Sequence, residues 1–587
     1  MNKTKQENSS IKLLEILTSV SPNKVFLSVV IGAIGGFAYS LLVPLIMLSL
    51  QPELSRFMQP EFESSYWLFG MFEVSNPKQA LTFFVVCMLI LFSRVMSGTL
   101  MLQVAVDSTV GLRKKMYKRI SQIPIQKLDQ IGPSRLLTAI NNDVEHIANG
   151  ASTIPTIMIA IMTFFGMLSF LLYLQLEVFL TVLGLIAFGF VTYQVPIFFS
   201  RKYIMKGRNG FDRIQDGIKG LIYGAKELKL NKEKQKAFLN EELYNVEDQY
   251  SASIKKGRTF LVFANNYSNL ISFFTIGLVA YALANYLALS RDDVLGAIMI
   301  LLYIMGPLTV LVGSMNSIVA ARVAGRKLAA LFEEMPIEPS SNNTLANQGD
   351  VQELKLKNIE YTHATVRNED SGFHIGPIDL SFKRGEVVYL VGGNGSGKTT
   401  LGKVLSLHYQ PSSGSVYHDA DLVTDDNRDA CRESIFAIYS DFYLFPKLFG
   451  IAEKGLDSRA TRLLELLGLD KKVTIKNGTF SSTKLSDGQK KRLALLVSYL
   501  EDRPVHIFDE WAADQDPEFK DVFYNHIVPY FKELNKIVVV ITHDDRYFHL
   551  ADKIVRLENG KVSKIIKQGG AKQPSENKIS WETADVN

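Results

Sequence analysis

The sequence predicts an all-α six-helix transmembrane domain followed by an α/β P-loop domain, and three observations carry the prediction. Long apolar runs fill the first 335 residues, a strand–glycine loop–helix pattern lies at 386–407, and the charge divides unevenly between the two parts. Residues 1–335 hold 32 Lys+Arg against 23 Asp+Glu, a net of +9; the rest holds 32 against 36, a net of −4, and the sum is the +5 of the chain. Only 21% of the 587 residues are charged and 47% are hydrophobic. That excludes a single soluble domain and a disordered chain. Two cysteines, Cys87 and Cys431, build neither a disulfide framework nor a zinc spacing.

Five runs carry no charge: Val25–Pro52 (28 residues), Ile147–Leu176 (30), Val178–Ser200 (23), Thr259–Ser290 (32) and Val294–Ala321 (28). A hydrocarbon core needs roughly 20 helical residues, so each run can cross it. A sixth, Leu81–Val106, is broken only by Arg94. The expected spans are about 25–50, 81–106, 147–174, 178–200, 259–288 and 294–321. Pro44 falls late in the first, where membrane helices tolerate a kink. The first run is too long for a signal peptide and lacks its exit site.

Basic residues set the expected orientation. Segments 107–146 and 201–258 carry 7 and 14 Lys+Arg, whereas 51–80, the Glu177 turn and 291–293 carry 2, 0 and 1. Positive charge stays on the cytoplasmic side, which puts both termini of a multi-pass membrane protein inside. Leu221, Ala225 and Leu228 share a helical face, so the basic segments read as helices extending into the cytoplasm. The outer segment 51–80 gathers Phe57, Tyr66, Trp67, Phe69 and Phe72 and reads as an interfacial belt or a lid.

A Pro/Ser/Asn-rich stretch makes 336–350 a linker; a cassette is expected over 351–569 and a polar tail over 570–587. The strand Glu386–Val391 runs into Gly392-Gly393-Asn394-Gly395-Ser396-Gly397-Lys398-Thr399 and then the helical Thr400–Leu407. This is a phosphate-binding loop in its required context. Glycines let backbone N–H groups close on phosphate oxygens at a helix N-terminus; Lys398 brings a charge, and Thr399 a hydroxyl for Mg²⁺. Leu485-Ser486-Asp487-Gly488-Gln489 opens a second helix and offers another anion site through Ser486, Gly488 and Gln489. One nucleotide does not need two such sites in one domain, so this one is expected to complete the ATP held by a second copy. Val505–Phe508 ends in Asp509, placed for Mg²⁺, and Glu510, placed to polarise water. Lys536–Ile541 ends in Thr542-His543, where an imidazole reaches the γ-phosphate. Phosphoryl transfer asks the protein mainly for positioning and charge neutralisation.

P-loop, LSDGQ, strand-Asp-Glu and Thr-His, in that order over about 351–565, resemble the ABC-type nucleotide-binding domain of ABC transporters. The N-terminal half resembles the membrane domain of ABC exporters fused to it. Leu128–Gly132 and Asn142-Asp143-Val144 are similar to their first coupling segment. Glu510–Pro517, His543–Phe548, Lys226–Asn231 and Gly392–Gly395 resemble a narrower group, the bacterial exporters of microcins, siderophore peptides and lipopeptides. The resemblance implies catalytic Glu510 and His543, and ATP and Mg²⁺ as cofactors. It also implies a homodimer and a peptide-like substrate moved across lipid by alternating access, with segments near 129–135 and 211–219 carrying closure. Nucleic acid is not an expected partner. A lipid translocase, an importer built on the exporter plan and a non-transporting sensor are the rival readings.

Several positions depart from the family pattern. Where a magnesium-sensing Gln is usual, the chain has Ser440 with Asp441 beside it. The adenine-stacking aromatic falls on His363 or Tyr361, and Ala513-Asp514-Gln515-Asp516 replaces the usual Ser-Ala-Leu-Asp. His506 is expected to be a satisfied core histidine. Arg94 is expected either to bind a substrate carboxylate or to pair with helix-end carbonyls. Tyr193, Tyr267, Phe273, Phe274 and Tyr303 are candidates for a cavity wall.

Overall fold

The computed structural model describes residues 21–50, 66–68, 72–74, 77–339, 351–363, 372–451 and 455–568. The polar tail, most of the linker and most of the aromatic outer segment lie outside the described residues. Within that outer segment the backbone forms an antiparallel pair, β1 (Tyr66–Leu68) and β2 (Phe72–Val74). The chain divides into two compact units, 1–118 with 134–334, and 119–133 with 335–587.

Apart from the β1–β2 pair, the first unit is α-helical among the described residues, which hold six helices long and apolar enough to cross a membrane. Pro22–Ser40 and Leu42–Leu50 form the first, broken at Leu41, where Pro44 in the following turn cannot donate its backbone hydrogen bond. Pro77–Ser121, Leu176–Tyr223 and Arg291–Glu334 run 45, 48 and 44 residues, well beyond their apolar runs. The helical region 232–286 contains two widened turns, Leu239–Tyr244 and Leu278–Leu283. Segment 211–219 lies inside an unbroken helix; the reversal comes later, at Gly224 and Asn231 around the short Ala225–Leu230 helix. Leu176–Tyr223 also contains Pro196, so it lacks one rung of its backbone ladder.

Small residues bring these helices together. Ser28 and Ser97 each donate a hydroxyl hydrogen bond to the other's carbonyl at 2.7 Å, and Thr163 donates to the Gly36 carbonyl at 3.0 Å. A side chain at Gly36 would meet the Ile159 carbonyl, and one at Gly150 would meet Ala321. In lipid the hydrophobic effect does not drive helix association, so close approach and buried hydroxyl pairs take that role. Beyond the apolar runs, the Leu176–Tyr223 and Asn245–Gly277 helices continue the same packing, with Gly207 against Ile254 and Gly257 against Ile204.

The second unit is α/β. Its main sheet combines β5 (Val387–Gly392), β8 (Ile435–Ile438), β11 (Val505–Asp509), β12 (Ile537–Ile541), β13 (Lys553–Glu558) and β14 (Lys561–Lys567) in the order β14-β13-β5-β12-β11-β8. All neighbours are parallel except β13–β14. The central strands β5 and β12 are built of apolar residues and one tyrosine because both faces are covered, and β11 departs from this only at His506 and its terminal Asp509. On β5, Val387, Tyr389 and Val391 join the core beneath the Asp487–Glu501 helix, while Val388 and Leu390 join the core on the opposite face. That second core also receives a four-stranded antiparallel sheet of β4 (His374–Lys383), β3 (Glu353–Thr362), β6 (Ser413–His418) and β7 (Asp421–Leu422). His506, on β11, is fully buried; its Nδ1 pairs with Ser498 Oγ at 2.9 Å, and its Nε2 meets no hydrogen-bond partner within normal geometry among the described residues. Burial pushes its pKa down to about 3, which keeps the ring neutral.

Candidate functional site

Three adjacent parallel strands, β5, β12 and β11, deliver their C-terminal ends to one edge of the sheet. Loops at such an edge are where open α/β sheets bind ligands. Residues 392–397 leave β5 and the Lys398–Leu405 helix follows directly. Gly397 has φ +98°, and a side chain there would run into Ile375, so only glycine passes the chain into the helix at this point. Gly393, Asn394 and Gly395 are exposed at the loop tip, whereas Ser396 and Lys398 are buried. Lys398 Nζ donates to the carbonyls of Gly392 at 3.0 Å and Gly393 at 2.9 Å. Burial lowers its pKa, while Glu510 and Asp509 act the other way.

Thr399 Oγ1 donates to Asp509 Oδ1 at 3.3 Å, joining the loop to the end of β11. The other carboxylate oxygen, Asp509 Oδ2, is buried without a partner among the described residues, and burial raises the carboxyl pKa to about 6. An orphaned carboxylate oxygen beside a hydroxyl fits Mg²⁺, which takes one or two protein oxygens together with substrate phosphates. Glu510 follows in a left-handed backbone conformation, φ 48° and ψ 35°, which costs a side-chain-bearing residue on the order of 1–3 kcal/mol. Its N–H donates to Ile541 at the end of β12, and its Oε1 lies 3.0 Å from His543 Nε2. Glu510, Thr542, His543 and Lys520 line a cavity of about 310 Å³. The structure thus brings Gly392–Thr400, Asp509, Glu510 and His543 to one edge.

Ser486, Gly488 and Gln489 stand elsewhere, at the start of the Asp487–Glu501 helix. There Ser486 and Gln489 satisfy each other's backbone in a capping box. Gly488 is needed for close approach, since a side chain would meet the Asp514 carbonyl at 2.6 Å. Sequence reasoning missed what ties this helix to the loop that follows β11. Lys491, only 3% exposed, donates to the Glu510 carbonyl at 2.7 Å and pairs with Asp514 at 2.8 Å. Arg492 donates to Gln515 at 2.9 Å and pairs with Asp516. The unusual Asp514-Gln515-Asp516 wording is therefore matched by cations on the neighbouring helix, a long-range match with no local signature.

The two aromatic candidates separate. Tyr361 is 2% exposed, stacks on Tyr409 at 5.1 Å and accepts a hydrogen bond from Gln126 at 2.9 Å. His363 instead faces the P-loop helix, its Nε2 3.0 Å from Thr400 Oγ1. Burial and Lys403 lower its pKa and favour the neutral ring. Phe373, which the sequence reading did not single out, sits beside it at a ring distance of 6.3 Å and is 40% exposed. Ser440 and Asp441 follow β8, next to β11; neither side chain makes a hydrogen bond among the described residues, and the Asp441 charge acts on Asp509 through space.

The segment 119–133 belongs to this unit. Tyr409 Oη donates to Asp129 at 2.9 Å, Lys403 of the P-loop helix lies 3.7 Å from the same carboxylate, and the Glu338 N–H donates to the Gln122 carbonyl. The Glu338 carboxylate is held by Arg432 at 2.8 Å and Arg428 at 3.7 Å.

Comparison with known proteins agrees with this geometry. The family described as ABC transporter matches residues 375–513. The chain is similar to the ATP-binding protein SyrD of Pseudomonas syringae pv. syringae, 32% identical over 96% of this chain and 98% of that protein. It is also similar to a "Probable ABC transporter ATP-binding/permease protein" of Haemophilus influenzae, 23% identical over 77% of this chain and 83% of that one. With six apolar helices and one ATP-binding cassette in a single multi-pass chain, and a relationship running end to end, the protein belongs to the ABC transporters as an ATP-binding/permease half-transporter.

Proposed function

We propose that two copies of this chain form an ATP-driven exporter that moves a peptide-like substrate out of the cytoplasm across a bacterial inner membrane. The observation that carries the dimer is the separation of Ser486 and Gly488 from the P-loop on different elements of one cassette. A second copy supplies the missing half of each site. The wording of Glu510–Pro517 and Lys226–Asn231, close to that of cyclic-peptide exporters, supports a peptide cargo.

In this mechanism ATP enters between the Gly392–Thr400 loop of one copy and the Ser486–Gln489 helix start of the other. Lys398 leaves its two loop carbonyls for the β- and γ-phosphates, and His363 with Phe373 provides the surface for the base. Thr399 and Asp509 would hold Mg²⁺, which when bound neutralises phosphate charge. Glu510 orients the attacking water and accepts its proton; His543, within hydrogen-bond distance of Glu510, positions that carboxylate and contacts the γ-phosphate. Closure around ATP turns the cavity outward, and hydrolysis returns it.

Inside-out vesicles test the proposal. ATP-dependent uptake of a labelled lipopeptide is the expected result. Movement of labelled lipid alone, efflux in place of uptake, or no flux at all would reject it.

A further inference from the structure

Arg94 is the one charged residue inside the six apolar runs, near the middle of 81–106. On the same helix Ser93 and Ser97 are buried against Gly35 and Gly32 of the first helix, which fixes the rotation of Pro77–Ser121. That rotation places the Arg94 guanidinium over the Tyr39 ring, 4.6 Å from its centroid. Tyr39 meets Tyr303 of the last long helix edge-on at 6.4 Å. Arg94 therefore lies along the first helix, on the side from which Tyr39 reaches Tyr303. Its side chain is exposed in the single chain, and among the described residues it makes no ion pair and donates no hydrogen bond. Pairing with helix-end carbonyls, one of the two sequence expectations, is not seen among the described residues.

An aromatic face stabilises a guanidinium from one side and leaves its N–H edge open. An open cationic fork at mid-depth is costly in hydrocarbon unless an anion or water meets it. Bidentate pairing with a carboxylate or phosphate is the interaction this edge is shaped for. We propose that Arg94, backed by Tyr39, is a binding site at mid-span for an anionic group, a carboxylate or phosphate, of the molecule being moved. This deepens the export reading and rests on it for the word "moved"; the site itself does not depend on transport direction.

The test uses the purified full-length protein in nanodiscs of phosphatidylcholine alone. Two fluorescent N-lauroyl pentapeptides with neutral side chains are compared, one ending in a carboxylate and the other in a carboxamide. The parent is expected to bind the carboxylate form about tenfold more tightly. Arg94→Gln should bring the two affinities together, and Arg94→Lys, which keeps the charge without the fork, should keep part of the preference. An unchanged size-exclusion profile and unchanged helical circular dichroism in both variants certify that they fold. Equal affinity of the parent for both peptides, binding of neither, or a preference undiminished in Arg94→Gln overturns the proposal. Phosphatidylglycerol added to the nanodiscs separates the sources: competition with the carboxylate peptide assigns the site to a lipid phosphate, and no competition assigns it to a peptide cargo. Loss of ATP-dependent vesicle uptake with the affinity preference intact would reject export and leave the anion site standing.

Discussion

Burial sets folding at Asp509 against the metal-holding role proposed for it. Its carboxyl rises from the ordinary 3.8 to about 6, chiefly through desolvation, with the Thr399 hydroxyl acting the other way. Between those two values the folded chain binds more protons than the unfolded one. Stability from this group therefore falls as pH rises through that window and is level above it. The cost at neutral pH is roughly 2–3 kcal/mol. Asp509→Asn should raise the thermal midpoint of the nucleotide-free protein at pH 8 while abolishing Mg²⁺-dependent ATPase; a lower midpoint than the parent would contradict this account. In the parent, ATPase should decline as pH drops below about 6, where the carboxylate is lost. In the proposed mechanism Glu510 acts on the attacking water. Glu510→Gln should retain ATP binding and lose about 100-fold or more in turnover, in line with removal of a general base. The P-loop, Asp509, Glu510 and His543 were legible in the sequence because each sits at the end of a strand whose residues announce it. Phe373 and Lys491 were not, since their roles come from partners brought close only by the fold.

At the scale of elements, segment 119–133 and the residues after the last long helix are fastened to the cassette by side chains distant in sequence. Gln126 holds Tyr361, Asp129 holds Tyr409 and Lys403, and Arg432 with Arg428 holds Glu338. Arg432 also donates to the Leu407 carbonyl, just past the P-loop helix, at 2.8 Å. Breaking a half-buried pair leaves the surviving charge without its partner. Arg432→Ala should therefore speed amide exchange at 335–339 and in the Ile125–Ile131 helix, measured by deuterium uptake, with little change elsewhere in the cassette. Uniform acceleration across the cassette would point to general destabilisation instead. The spans themselves were legible from uncharged runs. The extra length of the helices and the late reversal at Gly224 were not, because a charged amphipathic helix and a charged loop look alike when apolar residues are sparse.

At the scale of the whole molecule, one P-loop and one Ser486–Gln489 helix start per chain would make each site of the proposed dimer a shared property. Lys398→Ala disables every P-loop in its own dimer, and Ser486→Arg disables every helix start in its own. A mixed dimer of the two still contains one intact pair. Co-expression with separate tags and tandem purification should recover ATPase that neither variant shows alone; none recovered from a mixed dimer that still binds ATP would reject the shared site.

The unbroken run from Leu176 to Tyr223 has a mechanical corollary. At 1.5 Å per residue, 48 residues make a rod about 72 Å long. Pivoting the 27 residues beyond Pro196, about 40 Å of helix, by about 8° sweeps their far end through about 6 Å, roughly one helical turn. Pro196, the position without a rung, is a natural fulcrum, and glycine contacts at Gly207 and Gly257 keep the companion helix sweeping with it. A modest tilt at one end thus becomes a stride at the other long enough to unseat a side chain from its pocket.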